Sequence, residues 1–117
     1  MKENAIKSKS FEFAVAITQC CRGLIEQKEY ILSKQLLRSG TSIGANIREA
    51  TNAHSRRDFL YKVTVSLREC DETLYWLELL HATKFLSDEQ FNSLHSLSKE
   101  LIKILTSIVK TTRQTLQ

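Results

Sequence analysis

Apolar positions recur three and four residues apart along almost the whole chain, the period of helices with one buried side. Phe11, Ala14, Ile17, Thr18, Cys21, Leu24 and Ile25 mark a first helix that starts near Ser8 or Ser10 and reaches about Gln27. A short polar joint, Gln27 to Glu29, leads into a second helix over about Tyr30–Ala53, with Leu32, Leu36, Gly40, Ile43, Ile47 and Ala50 on one stripe. Ser55 and Asp58 form a start signal resembling a capping box, S-x-x-D, and the third helix then runs without a breaker to about Thr83. Ser87 and Gln90 open a fourth, with Asp88 and Glu89 in the first turn where the helix dipole favours acids. Its apolar line, Leu94, Leu97, Leu101, Ile104, Leu105 and Ile108, carries it to about Thr112. Four helices of roughly 20–28 residues with short joints predict an all-α, antiparallel up-down-up-down four-helix bundle, one domain over residues 1–117.

Two helices depart from a plain amphipathic pattern. The second carries Gly40 and Gly44, each costing about 1 kcal/mol against alanine in a helix interior. Beside its apolar stripe runs a second one of Gln35, Arg38, Ser42, Asn46 and Glu49, where a surface helix would carry Glu, Lys and Ala. Small and hydrogen-bonding residues there predict a helix packed closely on more than one side. The third helix has two apolar sides. Leu60, Val63, Leu67, Cys70, Leu74 and Leu77 suffice for the core, while Tyr61, Val65, Trp76 and Leu79 lie elsewhere, interleaved with Glu69 and Glu72. A second apolar side with aromatic anchors predicts an interface between copies of the chain, the competing reading being a bundle twisted enough to bury both sides internally.

Composition sharpens the fold class. There is no proline and only three glycines in 117 residues, too few turn formers for a β-rich fold of this size. The net charge of +4 is uneven: residues 1–57 carry ten Lys or Arg against five acids, and residues 58–117 carry seven against eight. That asymmetry suits an acidic partner such as nucleic acid without requiring one. Cys20, Cys21 and Cys70 are odd in number and include no C-x-x-C pair, so they make no disulfide framework. The polar start, MKENAIKSKS, has no signal-peptide pattern and no apolar run reaches membrane-spanning length, which predicts a cytoplasmic protein that does not enter membranes.

No specific catalytic constellation is present. His54, His81 and His95 lack metal-ligand spacing, and there is no phosphate-binding glycine loop or nucleophile elbow. Glu69 and Glu72 share a helix face, but di-metal bundles use Glu-x-x-His pairs that are missing here, so these glutamates read as partners of Arg38 or Lys62. The sequence therefore predicts no enzyme, no cofactor and no metal. Lys99, Lys103, Lys110 and Arg113 fall on one side of the fourth helix, opposite its apolar line, either as a phosphate-tracking surface or as an ordinary solvated back. Arg56 and Arg57 stand at the start of the third helix beside free helix N–H groups, an arrangement open to an anion. No aromatic is interleaved with these cations, so base stacking on single strands has no support.

The run LSKQLLRSGTSIGANIREA (Leu32–Ala50), with SRRDFLYKV (Ser55–Val63) and RECDETLYWL (Arg68–Leu77), closely resembles a family of bacterial four-helix-bundle proteins encoded within intervening sequences of 23S ribosomal RNA genes. The resemblance spans nearly the whole chain and is densest from Gln35 to Trp76. It implies a bundle that assembles into a ring, a homopentamer, and kinship with the accessory proteins of diversity-generating retroelements, basic pentamers that work with a reverse transcriptase and nucleic acid. It places the family's signature on Gln35, Arg38, Ser39, Gly40, Ser42, Gly44, Asn46 and Glu49, and then on Ser55, Asp58, Phe59, Lys62, Glu69, Glu72 and Trp76. No catalytic role attaches to any of them; they read as a polar network that fixes helix register and subunit packing. Two functions follow as expectations: a homo-oligomeric accessory protein binding structured RNA or other nucleic acid, or a scaffold that binds another protein and no nucleic acid.

Overall fold

A computed structural model of the chain describes residues 2–117 as four helices: α1 (Lys2–Glu26), α2 (Ile31–Thr51), α3 (Arg56–Ala82) and α4 (Asp88–Thr115). They form a rod of 48 × 21 × 19 Å. Each helix packs on its two neighbours in the order α1, α2, α3, α4 and back to α1, and none crosses the diagonal. Cross-helix contacts fix every neighbouring pair as antiparallel. Ile17 meets Gly40 and Ser10 meets Gly44 between α1 and α2, Ser39 meets Thr73 and Glu49 meets Lys62 between α2 and α3, His81 meets Asp88 and Cys70 meets Ser98 between α3 and α4, and Lys9 meets Glu100 and Lys2 meets Ser107 between α4 and α1.

The core is a column of apolar, mostly aliphatic side chains from all four helices, with Phe13, Ile17, Leu24, Leu36, Ile43, Leu77, Leu80, Leu101 and Leu105 almost wholly removed from water. Hydrophobic burial of this kind supplies most of the driving force for a bundle. Small polar residues are buried among them, and each hydroxyl has a partner. Ser66 donates to the Ile43 carbonyl at 2.9 Å and Thr73 donates to Ser39 Oγ at 2.9 Å, so α2 and α3 are tied by polar as well as apolar contacts. Among the described residues no buried side-chain N or O lacks a hydrogen-bond partner.

The sequence placed the start of α1 too late. Ser8 and Ser10 look like N-caps, yet both hydroxyls bond back to carbonyls three or four residues earlier, a common fate of serine inside a helix. The helix begins at Lys2 because Ile6 is buried and gathers with Ile47, Ala50, Phe59, Val63 and Ile108. The buried stripe of α1 is also rotated from the expected one. Ile6, Ser10, Phe13, Ile17, Cys21 and Leu24 face inward, whereas Phe11 and Ile25 are 61% and 50% exposed. The two stripes share Ile17, Cys21 and Leu24, so apolar periodicity alone could not choose between them.

Two of the three joints turn through left-handed residues that are not glycine, Lys28 (φ 65°) and Lys84 (φ 68°). In each, the next residue's N–H reaches back to a carbonyl of the last helical turn: Glu29 to Leu24 and Phe85 to Leu80, both at 2.9 Å. Those are Schellman closures, which satisfy carbonyls the helix end would otherwise leave unpaired. The start signals of α3 and α4 are realised as read. Ser55 Oγ accepts from the Asp58 N–H, and Ser87 with Gln90 makes a reciprocal capping box.

Candidate functional site: a polar seam and a basic end

The glycines and serines of α2 divide between its two neighbours. Toward α1, a Cβ on Gly40 would sit 2.8 Å from Ile17 Cγ2, and one on Gly44 would sit 3.4 Å from the Ser10 carbonyl oxygen. At Gly40, and less tightly at Gly44, α1 lies against the α2 backbone itself, which is what glycine permits. Toward α3, Ser39 is buried against Thr73, while Asn46 turns back to Ser42 through its side-chain amide.

At the outer edge of that α2–α3 seam, Arg38 bridges the two glutamates. Its guanidinium contacts Glu69 at 3.3 Å and also Glu72, and its Nε donates to Gln35 at 3.4 Å. Trp76 Nε1 donates to Glu72 at 3.0 Å, and the Trp76 ring meets Tyr75 edge to face. Further along the seam Lys62 donates to Glu49 at 2.8 Å, and this partner holds the ammonium above its ordinary pKa. Glu69 and Glu72 thus share one cation from the adjacent helix, which offsets one of their two charges. Among the described residues no cluster of three or more His, Cys, Asp or Glu is arranged to hold a metal. His81, paired with Asp88 at 2.7 Å, stacks on Phe91 and serves the α3–α4 joint. Asp58 is likewise a capping residue, accepting from the His54 N–H at 3.3 Å.

Burial raises all three thiols: Cys20 to about 11, and Cys21 and Cys70 to about 12. Cys21 and Cys70 donate weakly to the carbonyls of Ser33 and Ser98. Such thiols stay protonated near neutrality and are poor nucleophiles.

The cations read from the sequence come together only in part. Antiparallel packing brings the start of α1 and α3 and the end of α2 and α4 to one end of the rod. Lys2, Lys7 and Arg48 reach that end from α1 and α2, and Arg56, Arg57, Lys110 and Arg113 reach it from α3 and α4; all seven are exposed. Only Glu3, Glu49 and Asp58 oppose them there, and Glu49 is already paired. The opposite end balances Arg22, Lys28, Lys34 and Lys84 against Glu26, Glu29, Glu78, Asp88 and Glu89. The excess positive charge is therefore concentrated at one end. Arg56 also lies over the Phe59 ring, 4.2 Å from its centre, which gives it a packing role as well. Lys99 and Lys103 are exposed but sit nearer the middle, beside Glu100, and so the line expected along α4 is divided.

Of the proposed interface residues, Tyr61 is 63% exposed, whereas Val65, Trp76 and Leu79 are half-buried. The sequence missed Tyr75, 57% exposed on the same side of α3. Its position among acids at Asp71, Glu72 and Glu78 was the available signal.

These features define a helical bundle with a polar inter-helix seam, a basic end and exposed aromatic residues. The chain belongs to the 23S rRNA-intervening sequence protein family, whose model matches residues 2–107. It is similar to a crystal structure from Bacteroides thetaiotaomicron, described as a protein with unknown function from the S23 ribosomal protein family. The two share 54% identity with a TM-score of 0.93, over 94% of this chain and 99% of that one. No curated protein matches the chain. Among the described residues no helix is long and apolar enough to cross a membrane.

Proposed function

We propose that this protein is a non-enzymatic, self-associating accessory protein of the cytoplasm, a pentamer as its resemblance implies, that binds structured RNA through the basic end of the bundle. The observation that carries the nucleic-acid reading is the gathering of Lys2, Arg56, Arg57, Lys110 and Arg113 at one end, where Glu3 and Asp58 are the acids outside ion pairs and Glu49 is already held by Lys62. A compact patch of solvated cations suits phosphate contacts on a folded nucleic acid, where shape and backbone dominate recognition. Self-association is supported by Tyr61 and Tyr75, exposed on one helix.

The test is a titration of a labelled RNA hairpin at several salt concentrations. Affinity should fall steeply with salt, by a factor set by the number of phosphates contacted. Binding absent even at low salt contradicts the reading. The exposed aromatics favour one alternative, a scaffold for another protein. A specific protein partner whose capture survives nuclease treatment, together with no RNA binding, would select it.

A further inference from the structure

The rotation of α1 leaves an apolar flank beside α2. Ala14, Gly44 and Ala45 carry so little side chain that a groove of about 820 Å³ opens between the two helices, with Phe11 exposed at its wall. Lys7, Arg48 and Glu49 line the same groove; Glu49 is held by Lys62, and neither Lys7 nor Arg48 belongs to an ion pair. On α3, Tyr75 projects outward with Asp71 and Glu78 about one turn to either side, and these acids are exposed and outside the ion pairs too.

We propose that the α1–α2 groove of one copy receives the Tyr75 segment of α3 from a second copy. The inference rests on the self-association just proposed and names the face that receives α3. The two surfaces are complementary twice over: an apolar groove with unpaired cations faces an aromatic anchor with unpaired acids. Pairing like with like would set Lys7 and Arg48, or Asp71 and Glu78, against their own copies, and such juxtaposition is costly. Tyrosine suits the site because its ring fills apolar space while its hydroxyl stays wet. The lengths agree, since Asp71 to Glu78 spans ~10 Å of helix and the groove, from Asn4 to Ala14, spans ~15 Å. Two different patches make a head-to-tail contact, so the interface repeats from copy to copy and gives a ring where the rotation between copies closes.

Two substitutions at exposed positions test this, Ala45→Arg to fill the groove and Tyr75→Lys to remove the anchor, with mass read by light scattering. Each variant alone should fall to single-chain mass while keeping a cooperative helical melt. An equimolar mixture should give a two-chain particle, because each variant retains the face the other lacks. Ala45→Arg with the wild-type mass, or a mixture that stays at single-chain mass, overturns the pairing. A wild-type protein of single-chain mass would instead contradict self-association itself. A charge swap gives a second route if either variant fails to fold. Lys7→Glu with Arg48→Glu should dissociate the particle, as should Asp71→Lys with Glu78→Lys, and all four in one chain should restore it. Reversals that leave the mass unchanged overturn the proposal.

Discussion

Two lysines carry a conformation most residues avoid. Lys28 and Lys84 hold positive φ so that the Schellman closures of α1 and α3 can form. A left-handed L-residue costs roughly 1–2 kcal/mol, and glycine recovers that less the entropy it adds to the unfolded chain. Lys84→Gly should therefore stabilise the protein by up to about 1 kcal/mol, read as a higher midpoint in thermal or urea unfolding. The cysteines make a second prediction at this scale. Each thiol has its pKa raised by burial from about 9 to about 11 or 12. Below pH 9 both folded and unfolded thiols are protonated; above it the unfolded chain loses protons first. Stability should thus be full below pH 9 and decline as the pH climbs toward the folded values. Cys70→Ala should flatten that alkaline decline, while a thiol reagent at pH 8 should label the native protein far more slowly than the unfolded one.

At the scale of elements, α2 is the helix whose sequence says most about its surroundings. Gly40 has no room for even one carbon, because Ile17 is buried and branched and cannot swing away. Gly40→Ala gains about 1 kcal/mol of helix propensity but overpacks the core at a typical cost of about 1–3 kcal/mol, so net destabilisation is expected. Around Gly23 the space is open, with nothing within 4 Å of where an alanine methyl would stand, and Gly23→Ala should stabilise by about 0.5–1 kcal/mol. Opposite signs from the same chemical change, measured by denaturant unfolding, check the α1–α2 packing directly. The four helices, their antiparallel order and the caps at Ser55 and Ser87 were legible in the sequence, since periodicity and capping are local signals. The phase of α1 was not. Phe11 and Phe13 each begin an apolar repeat, and only the assembled core decides which one is buried: Phe13 is 1% exposed and Phe11 61%. The joint at Gln27–Glu29 was legible as well, but its left-handed closure and that at Lys84 were not, since lysine gives no sign that it will adopt positive φ.

For the molecule as a whole, what matters is where the charge lies. Sequence halves hinted at asymmetry, but only antiparallel packing brings residues as distant as Lys7, Arg57 and Arg113 to one end. If that end binds RNA, Lys110→Glu with Arg113→Glu should weaken binding uniformly across RNA sequences. It should also reduce the salt dependence by roughly one power of salt concentration for each phosphate no longer neutralised. Lys99→Glu with Lys103→Glu, nearer the middle of the rod, should have the smaller effect. An equal loss of affinity from both pairs would point to the length of α4 as the binding surface in place of the end. Self-association and RNA binding are tested together by the mass of the native particle, from light scattering after size exclusion, with absorbance at 260 and 280 nm recorded across the peak. The expected particle is near five times the 13.5 kDa chain and carries nuclease-sensitive material that absorbs at 260 nm. A single-chain particle free of such material would contradict both.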